Sequence, residues 1–564
     1  MISDNFIRAA SLVNKSSEAN QKLQFNRAKQ LCKKALSLAP ELAEAWYNLG
    51  IAHGGLSNKK QAVDSQKKAL VLTIENAVAQ NDISLELYHL GAENIAEEGF
   101  KRAIVLSPQF AQPYSNLGII YRKHGKLDEA ESSYRSALAL EPALAPIYLN
   151  LGGVLIAKEA FDEAIVFCQK AIEIDPGLSA AYSNLGSALL GLKQFEEAES
   201  VCRKAIEIDP FSAETYSNLG NLFAQQGHFD EAIRITQKAI ELDPQDFDSR
   251  ANLGYYQLFV EDYARGWENH EYRWEMEGQG KKIKRPKTSL QQWRGEIIQQ
   301  DASIVIYSEQ GFGDSLHFCR YLPMLFDYFN SVAFVCPEPV KQVLEQSLDD
   351  RIELLNKRSN KNFDRYQWYC PLISLPLAFS TTGRTIPSKT LYLKADQSQV
   401  KIWFDRLSTI KLPKIGLVWQ GSETMRGNTW RSIPLDQFIP ILEIETLQFI
   451  SLQKGVKKAS ISSLPEKINL LNPMNKVSNF ADTAAIIANL DLVVSVDTSV
   501  AHLAGAMGKP IWLLNRASSE WRWGWKKKIS PWYPSMKIFN QNTFGNWTGV
   551  MQEISDTLKE KFNT

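Results

Sequence analysis

Residues 490–514 read LDLVVSVDTSVAHLAGAMGKPIWLL. Leu492–Val496 is a run of apolar, mostly β-branched residues, with the length and composition of a strand buried on both faces. A turn follows at once. Asp497, Thr498 and Ser499 are helix-capping types, and the small residues of VAHLAGAM behind them suit a helix packed closely on a sheet. Lys509-Pro510 stops that helix, and IWLL opens the next strand. Such a strand, polar turn and helix aims unpaired backbone N–H groups and the positive end of a helix dipole at the mouth of a sheet, where phosphate or diphosphate is well held. Read alone, the stretch fits equally an ordinary βαβ unit whose Asp-Thr-Ser is only a cap.

At 564 residues the chain is too long for one core and predicts three or so domains. Lys plus Arg equals Asp plus Glu, so no global field favours nucleic acid or an anionic membrane. The six cysteines, Cys32, Cys168, Cys202, Cys319, Cys336 and Cys370, are scattered, with no Cys-x-x-Cys pair and no histidine at metal-ligand spacing. They read as reduced core residues, and no metal is expected. The first residues, MISDNFIRAASLVNKSSEANQ, lack a signal-peptide core, and no stretch of about 18 uncharged apolar residues occurs. The expectation is a cytoplasmic protein with no membrane span.

The first half is periodic. Asn-Leu-Gly recurs at Asn116, Asn150, Asn184, Asn218 and Asn252, 34 residues apart each time, and Asn48 lies two periods earlier. Pro40, Pro108, Pro142, Pro176, Pro210 and Pro244 keep the same phase, each placed to end a helix. Within residues 111–144 the pattern Tyr114, Leu117, Gly118, Tyr121, Ala130, Tyr134, Ala137, Pro142 resembles the tetratricopeptide repeat position by position. Gly118 and Ala130 let two antiparallel helices approach, and the aromatics fill the space between neighbouring pairs. Weaker copies fit the register at Ala28, Cys32, Ala35 and Pro40, and at Ala96, Phe100, Ala103 and Pro108, the latter without its Gly and Tyr. About eight units from residue 9 to roughly 278 predict an α-solenoid over 1–278. Its groove would take a protein or peptide, with Asn48, Asn116, Asn150, Asn184, Asn218 and Asn252 forming a ladder of paired donors and acceptors for a peptide backbone. The plainer reading is that Asn-Leu-Gly is simply repeat packing.

Residues 278–290, GQGKKIKRPKTSL, are polar and basic without apolar periodicity, and a linker is placed at 279–300. From Ser303 the period changes. Short apolar runs at 303–308, 332–336, 352–355, 414–420, 447–453 and 467–471, with the opening strand, alternate with helical patterns and predict parallel sheets with helices on both faces. The polar segment 380–413 divides them into two lobes, 301–395 and 396–564, and ligands of such lobes lie at the carboxyl ends of their strands. After the first strand comes Glu309-Gln310-Gly311-Phe312-Gly313-Asp314; its glycines allow a tight turn, but Leu316 stands where a dinucleotide fingerprint has its third glycine, so no nicotinamide cofactor is expected. Asp314 heads a helix, with His317 one turn on. By itself it reads as a carboxylate that complements a helix dipole.

Read together, SEQGFGD (308–314), GLVWQGS (416–422) with Arg431 in WRSIPL, SLQKG (451–455) and DTSVAH (497–502) resemble, in order and context, the heptosyltransferase-like glycosyltransferases of family nine, inverting enzymes of the two-lobed GT-B class. The resemblance covers roughly 300–540. With repeats in front, the layout also resembles the protein O-linked N-acetylglucosamine transferases. It implies that Asp314 is the general base, that Arg431 neutralises the leaving nucleoside diphosphate, and that Asp497, Thr498, Ser499 and His502 form the diphosphate turn. Gly311, Gly313, Gln420, Gly421, Gln453 and Lys454 complete the implied donor site. Ser499 stands where the family usually has glycine, which leaves the sugar open. No cofactor beyond the nucleotide-sugar substrate is implied, and chemistry agrees, since a base for the acceptor hydroxyl and fixed positive charge on the departing diphosphate suffice for inverting displacement.

WRWGWKKK (521–528) interleaves aromatic and basic residues as a single-strand nucleic-acid platform does. Trp521, Trp523 and Trp525 read better as core or interlobe packing, with a place in the lining of the donor cleft as a further reading, and no nucleic acid is expected. The sequence thus predicts a glycosyltransferase acting on an acceptor held by the repeats. The alternatives are transfer to a glycan or lipid-linked acceptor, and an inactive scaffold for protein binding.

Overall fold

The computed structural model describes residues 4–276, 285–286, 288–298, 301–309, 311–356, 363–388, 391–421, 431–455, 461, 464–517 and 519–563. Many paired helices in the first part give way to two parallel α/β sheets, a repeat array followed by a two-lobed GT-B architecture. The chain folds as two compact units, Met1–Asn218 and Leu219–Thr564.

Helix pairs run from Asp4–Gln21 with Phe25–Leu38 to Phe247–Phe259 with Tyr263–His270. The turn between the two helices of each pair holds one residue at positive φ: Leu23, Ser57, Gly91, Gly125, Glu159, Lys193, Gly227 and Glu261. These eight positions are 34 residues apart, so the left-handed turn tip repeats as strictly as the asparagines do. Alanines at 28, 62, 96, 130, 164, 198 and 232 are wholly buried, because a larger side chain would separate the paired helices. A Cβ on Gly118 would lie 2.6 Å from the Tyr134 ring, and one on Gly186 would lie 2.4 Å from Cys202 Sγ. In the third pair, which lacks that glycine, Ser84 takes its place and the small residue moves across to Gly99, 1.9 Å from Ser84 Oγ for an added Cβ. The close approach is kept by exchanging sides.

The first sheet has five strands, β1 (Gln291–Gln292), β2 (Ser303–Tyr307), β3 (Ser331–Cys336), β4 (Ile352–Asn356) and β5 (Trp368–Pro371), in the order β1-β5-β2-β3-β4. The second has six, β6 (Lys414–Val418), β7 (Gln448–Ser451), β8 (Leu470–Leu471), β9 (Leu492–Val496), β10 (Ile511–Asn515) and β11 (Met536–Asn540), in the order β11-β10-β9-β6-β7-β8. All pairings within both sheets are parallel. The second is the doubly wound order, reversing between β6 and β9, and the first reverses between β2 and β5. At such reversals the flanking helices lie on opposite faces and leave a crevice at the carboxyl ends. The residues after β2, β6 and β9 are those singled out in the sequence.

Residues 291–293, read as linker, join the first sheet: β1 pairs with β5, and Trp293 is fully buried against Tyr328, Phe329 and Phe379. The flanking basic run hides an apolar anchor. Residues 219–276, the end of the array, whose last aromatic helix the sequence reads as docked on the next domain, pack in one unit with the sheets. Trp267 donates its indole N–H to Thr381 O (2.9 Å), and its ring meets Trp521 edge-on at 5.1 Å. Among the described residues no helix is long and apolar enough to cross a membrane. All six cysteines are buried and free.

Candidate active site

Two glycine-assisted helix starts meet between the lobes. Gly311 is the N-cap of helix Phe312–Phe318, and Thr498 that of helix Ser499–Ala506. A Cβ on Gly313 would lie 2.9 Å from His502 Cδ2 and 3.6 Å from Ser499 Cα, so only glycine allows this approach. Thr498 makes no side-chain cap, its hydroxyl lying 3.1 Å from Ser495 Oγ. The N-cap side chain therefore leaves the first N–H groups of that helix uncapped, the arrangement in which a helix start can hold an anion.

Asp314 Oδ2 accepts the Gly311 N–H at 3.1 Å, and Oδ1 accepts Arg522 Nη2 at 2.6 Å. Arg522 also donates to Glu520 at 2.9 Å, and its guanidinium lies over Trp521 and Phe318. Burial pushes the Asp314 carboxyl up from its ordinary value, against the pull of the Arg522 charge. That raised proton affinity suits a base. Asp497, on the other lobe, is likewise raised by burial and by Glu520, while Arg516, Arg431 and Arg522 draw it down. Three guanidiniums thus bear on the charge of Asp497 at the carboxyl end of β9. Arg516 and Arg522 were not named as site residues: Arg516 stands in no motif, and Arg522 lies in the aromatic-basic cluster 521–528, which reads first as packing; each is the residue type that binds a diphosphate.

Other predicted residues hold the loops. Gln453 Oε1 accepts the N–H groups of Trp419 (3.3 Å) and Gln420 (2.9 Å), bracing the loop after β6. Lys454 Nζ donates to Val477 O and Ser478 O, which turns its charge towards backbone. Gly421 N donates to Ser432 Oγ at 3.2 Å. Residues 422–430, including the start of the WRSIPL motif, lie outside the described residues, as does Gln310.

His502 belongs to a buried chain. Tyr533 Oη lies 2.8 Å from His317 Nδ1 and 2.9 Å from His502 Nδ1, and burial holds both imidazoles far below their usual pKa and hence neutral. His317 Nε2 has no partner, and an unpaired acceptor costs less than an unpaired N–H, which puts the His317 proton on Nδ1. Tyr533 then accepts from His317 and donates to His502 Nδ1, so His502 carries its proton on Nε2, the atom beside Gly313. His502 is therefore a neutral donor, not a cation for the diphosphate. Tyr533→Phe removes the hydroxyl from both imidazoles and is expected to cost about 1–3 kcal/mol in thermal unfolding. A melting temperature equal to that of the wild type would show that the chain does not form.

Three of the six ladder asparagines tie one repeat to its predecessor. Asn116 Nδ2 donates to Asn81 Oδ1 (2.9 Å), Asn184 Nδ2 to Leu149 O (3.2 Å) and Asn218 Nδ2 to Ser183 Oγ (2.9 Å), each reaching the equivalent helix one repeat earlier. Asn48 is buried, while Asn150 and Asn252 are half-buried. The repeat-packing reading accounts for these three donors. The tryptophans of 521–525 are packing residues too: Trp523 stacks on His502 at 5.1 Å, and Trp525 fills a notch at Gly227.

Residues 457–555 match the profile of glycosyltransferase family 9 (heptosyltransferase), and residues 43–72, 121–189 and 177–245 match tetratricopeptide-repeat profiles. The chain carries tetratricopeptide repeats and, over residues 457–555, a stretch of glycosyltransferase family 9 type. The family 9 match begins beyond β7 and spans the Asp497 turn and the Arg516–Arg522 cluster. Protein FlbA of Caulobacter vibrioides is 24% identical over 288 residues, covering 48% of this chain and 48% of FlbA. The chain thus spans about half the length of that curated relative. Among solved structures, a tetratricopeptide repeat protein from Parabacteroides merdae is similar at 17% identity, covering 42% of this chain and 93% of that one, with TM-score 0.37. YrrB, described as a TPR protein with an unusual peptide-binding site, is similar at 24% identity, 32% and 94% coverage and TM-score 0.28.

Proposed function

We propose that the chain transfers a sugar from a nucleotide-sugar donor to an acceptor hydroxyl, with inversion and without a metal ion, and that the acceptor is a protein segment presented by the repeats. The observation that carries this reading is the meeting of Asp314 on one lobe with the Asp497-Thr498-Ser499 turn and the guanidiniums of Arg431, Arg516 and Arg522 on the other. The first-turn N–H groups of helix Ser499–Ala506 and the guanidiniums of Arg431 and Arg516 receive the diphosphate, Arg522 being held by Asp314 and Glu520, and His502 Nε2–H is a neutral donor to an oxygen beside Gly313. Asp314 takes the acceptor proton as the acceptor oxygen attacks the anomeric carbon and the bond to the diphosphate breaks. Charge that develops on the leaving group meets fixed cations, the electrostatic role that a metal would otherwise fill. Support for a protein acceptor is the array itself, whose partly exposed first helices carry asparagine carbonyls that can accept from a peptide backbone.

The test is a thermal-shift screen of the whole chain with UDP-, GDP-, ADP- and dTDP-linked sugars. A donor at 100 times its dissociation constant is expected to stabilise the fold by about 2.7 kcal/mol. A flat response to all four classes would remove the donor site and leave a protein-binding scaffold.

A further inference from the structure

The segment that carries Arg522 is gripped by the repeats. A Cβ on Gly227 would lie 2.1 Å from Trp525 Cζ2, so the indole sits in the space that only glycine leaves open there. Phe229, two residues on, meets the same ring edge-on at 5.4 Å. One repeat later, Glu261 forms an ion pair with Lys527. Gly227 and Glu261 occupy successive members of the left-handed row at the repeat turns, φ +84° and +64°. Trp267, from the helix after Glu261, buttresses Trp521. Arg522 lies between these anchors, and its guanidinium, 11% exposed, reaches Asp314 at 2.6 Å. A repeat turn is thus connected to the carboxylate of the first lobe through the four residues Arg522–Trp525.

We propose that Arg522 is the positioning residue for Asp314, and that the turn tips of the last two repeats, Gly227 and Glu261, hold Arg522 in place, making these repeats part of the catalytic machinery. This rests on the reading of Asp314 as the base in glycosyl transfer. The guanidinium fixes one carboxylate oxygen and favours the ionised form, while the Gly311 N–H fixes the other. Without the grip on Trp525 and Lys527, the short turn bearing Arg522 would be free to leave the carboxylate.

The experiment uses the full chain. Arg522→Gln, Asp314→Asn and the double variant form a thermal-unfolding cycle that needs no turnover, and the two changes are expected to be non-additive. Nucleoside diphosphate release is then followed against pH with UDP-, GDP-, ADP- and dTDP-linked sugars. Arg522→Gln is expected to lower kcat roughly 10- to 100-fold and to move the acid limb of the profile to higher pH, because Asp314 then holds its proton more tightly. Arg522→Lys should restore the limb in part. Gly227→Ala, which displaces Trp525, should shift kcat and limb in the same direction. Gly125→Ala is the control, since it imposes the same left-handed strain (φ +72°) where an added Cβ meets nothing within 4 Å. Additive unfolding changes would overturn the ion pair. An unmoved acid limb in Arg522→Gln, with Asp314→Asn inactive, would overturn the positioning role alone. Equal loss in Gly125→Ala and Gly227→Ala would overturn the grip. Coupling in the cycle without turnover of any donor by the wild type would overturn the glycosyl-transfer reading, and this role with it.

Discussion

Asp314→Asn is expected to fold and bind nucleotide sugar as the wild type does while losing roughly 10²- to 10⁴-fold in transfer rate, the loss that follows removal of a general base. The amide keeps an oxygen for the Gly311 N–H and Arg522 keeps Glu520, so the fold survives the loss of the Asp314–Arg522 contact, the loss that the unfolding cycle reads. What is lost is the lone pair that takes the acceptor proton. In the wild type the same group should set the acid limb of the rate profile. Burial holds its pKa above the ordinary carboxylate value, so activity falls as pH drops through that raised value. The measurement is initial rate against pH with the donor found by thermal shift, beside donor affinity for both proteins. Wild-type turnover in Asp314→Asn would end the assignment.

How much of this was readable from the chain depends on the range of each interaction. The 34-residue period exposed the helix pairs because every repeat solves the same local packing problem. The short β-branched runs exposed the parallel strands, since strands covered on both faces need no polar alternation. Asp314 and the Asp497 turn were legible as motifs because each is set by its own strand, turn and helix. The role of Arg522 was not, since its partner lies 208 residues away and the cluster around it, read first as packing and at most as lining for the donor cleft, does not point to Asp314. Tyr533 was invisible for the same reason: nothing nearby in sequence announces that its hydroxyl joins His317, 216 residues earlier, to His502. The asparagine ladder shows the opposite case. Its periodicity was plain, but periodicity alone does not distinguish a side chain facing a ligand from one tying a repeat to its predecessor, and Asn116, Asn184 and Asn218 do the latter. Residues 291–293 were masked by the basic run beside them, although the strand pairing and burial of Trp293 are ordinary β-sheet physics.

Arg273→Met should produce the largest loss of stability, about 3–5 kcal/mol, because it strands two buried carboxylates. Arg273 follows the last repeat helix in the short 3-10 helix Glu271–Trp274, and its side chain is 4% exposed. It donates to Glu309 through Nε (3.0 Å) and Nη2 (3.1 Å), to Glu271 at 2.6 Å and to Ser374 Oγ at 2.8 Å. Glu309 stands just after β2, leads into the turn that carries Asp314, and also accepts the Ile373 N–H at 2.9 Å beyond β5. Arg273 thus ties the end of the repeats to the reversal point of the first sheet. Burial pushes Glu309 up to about 7 even with the guanidinium beside it, whereas Glu271, buried but held by Arg273, Ser374 and Gln292, stays below the usual carboxylate value. The sign of the pH dependence follows. A carboxyl raised by folding favours the fold fully below its unfolded pKa, and that contribution is lost as pH rises through the folded value. Without Arg273 the Glu309 value moves higher still, so the deficit of the variant should widen as pH rises past 7 and narrow below it, where Glu309 takes up its proton. Thermal unfolding on both sides of that value measures the difference. Arg273→Met/Glu309→Gln, which removes one stranded charge with its partner, should regain part of the loss at high pH. A deficit independent of pH, with no recovery in the double variant, would mean that Arg273 acts through packing on Trp274 and not through Glu309.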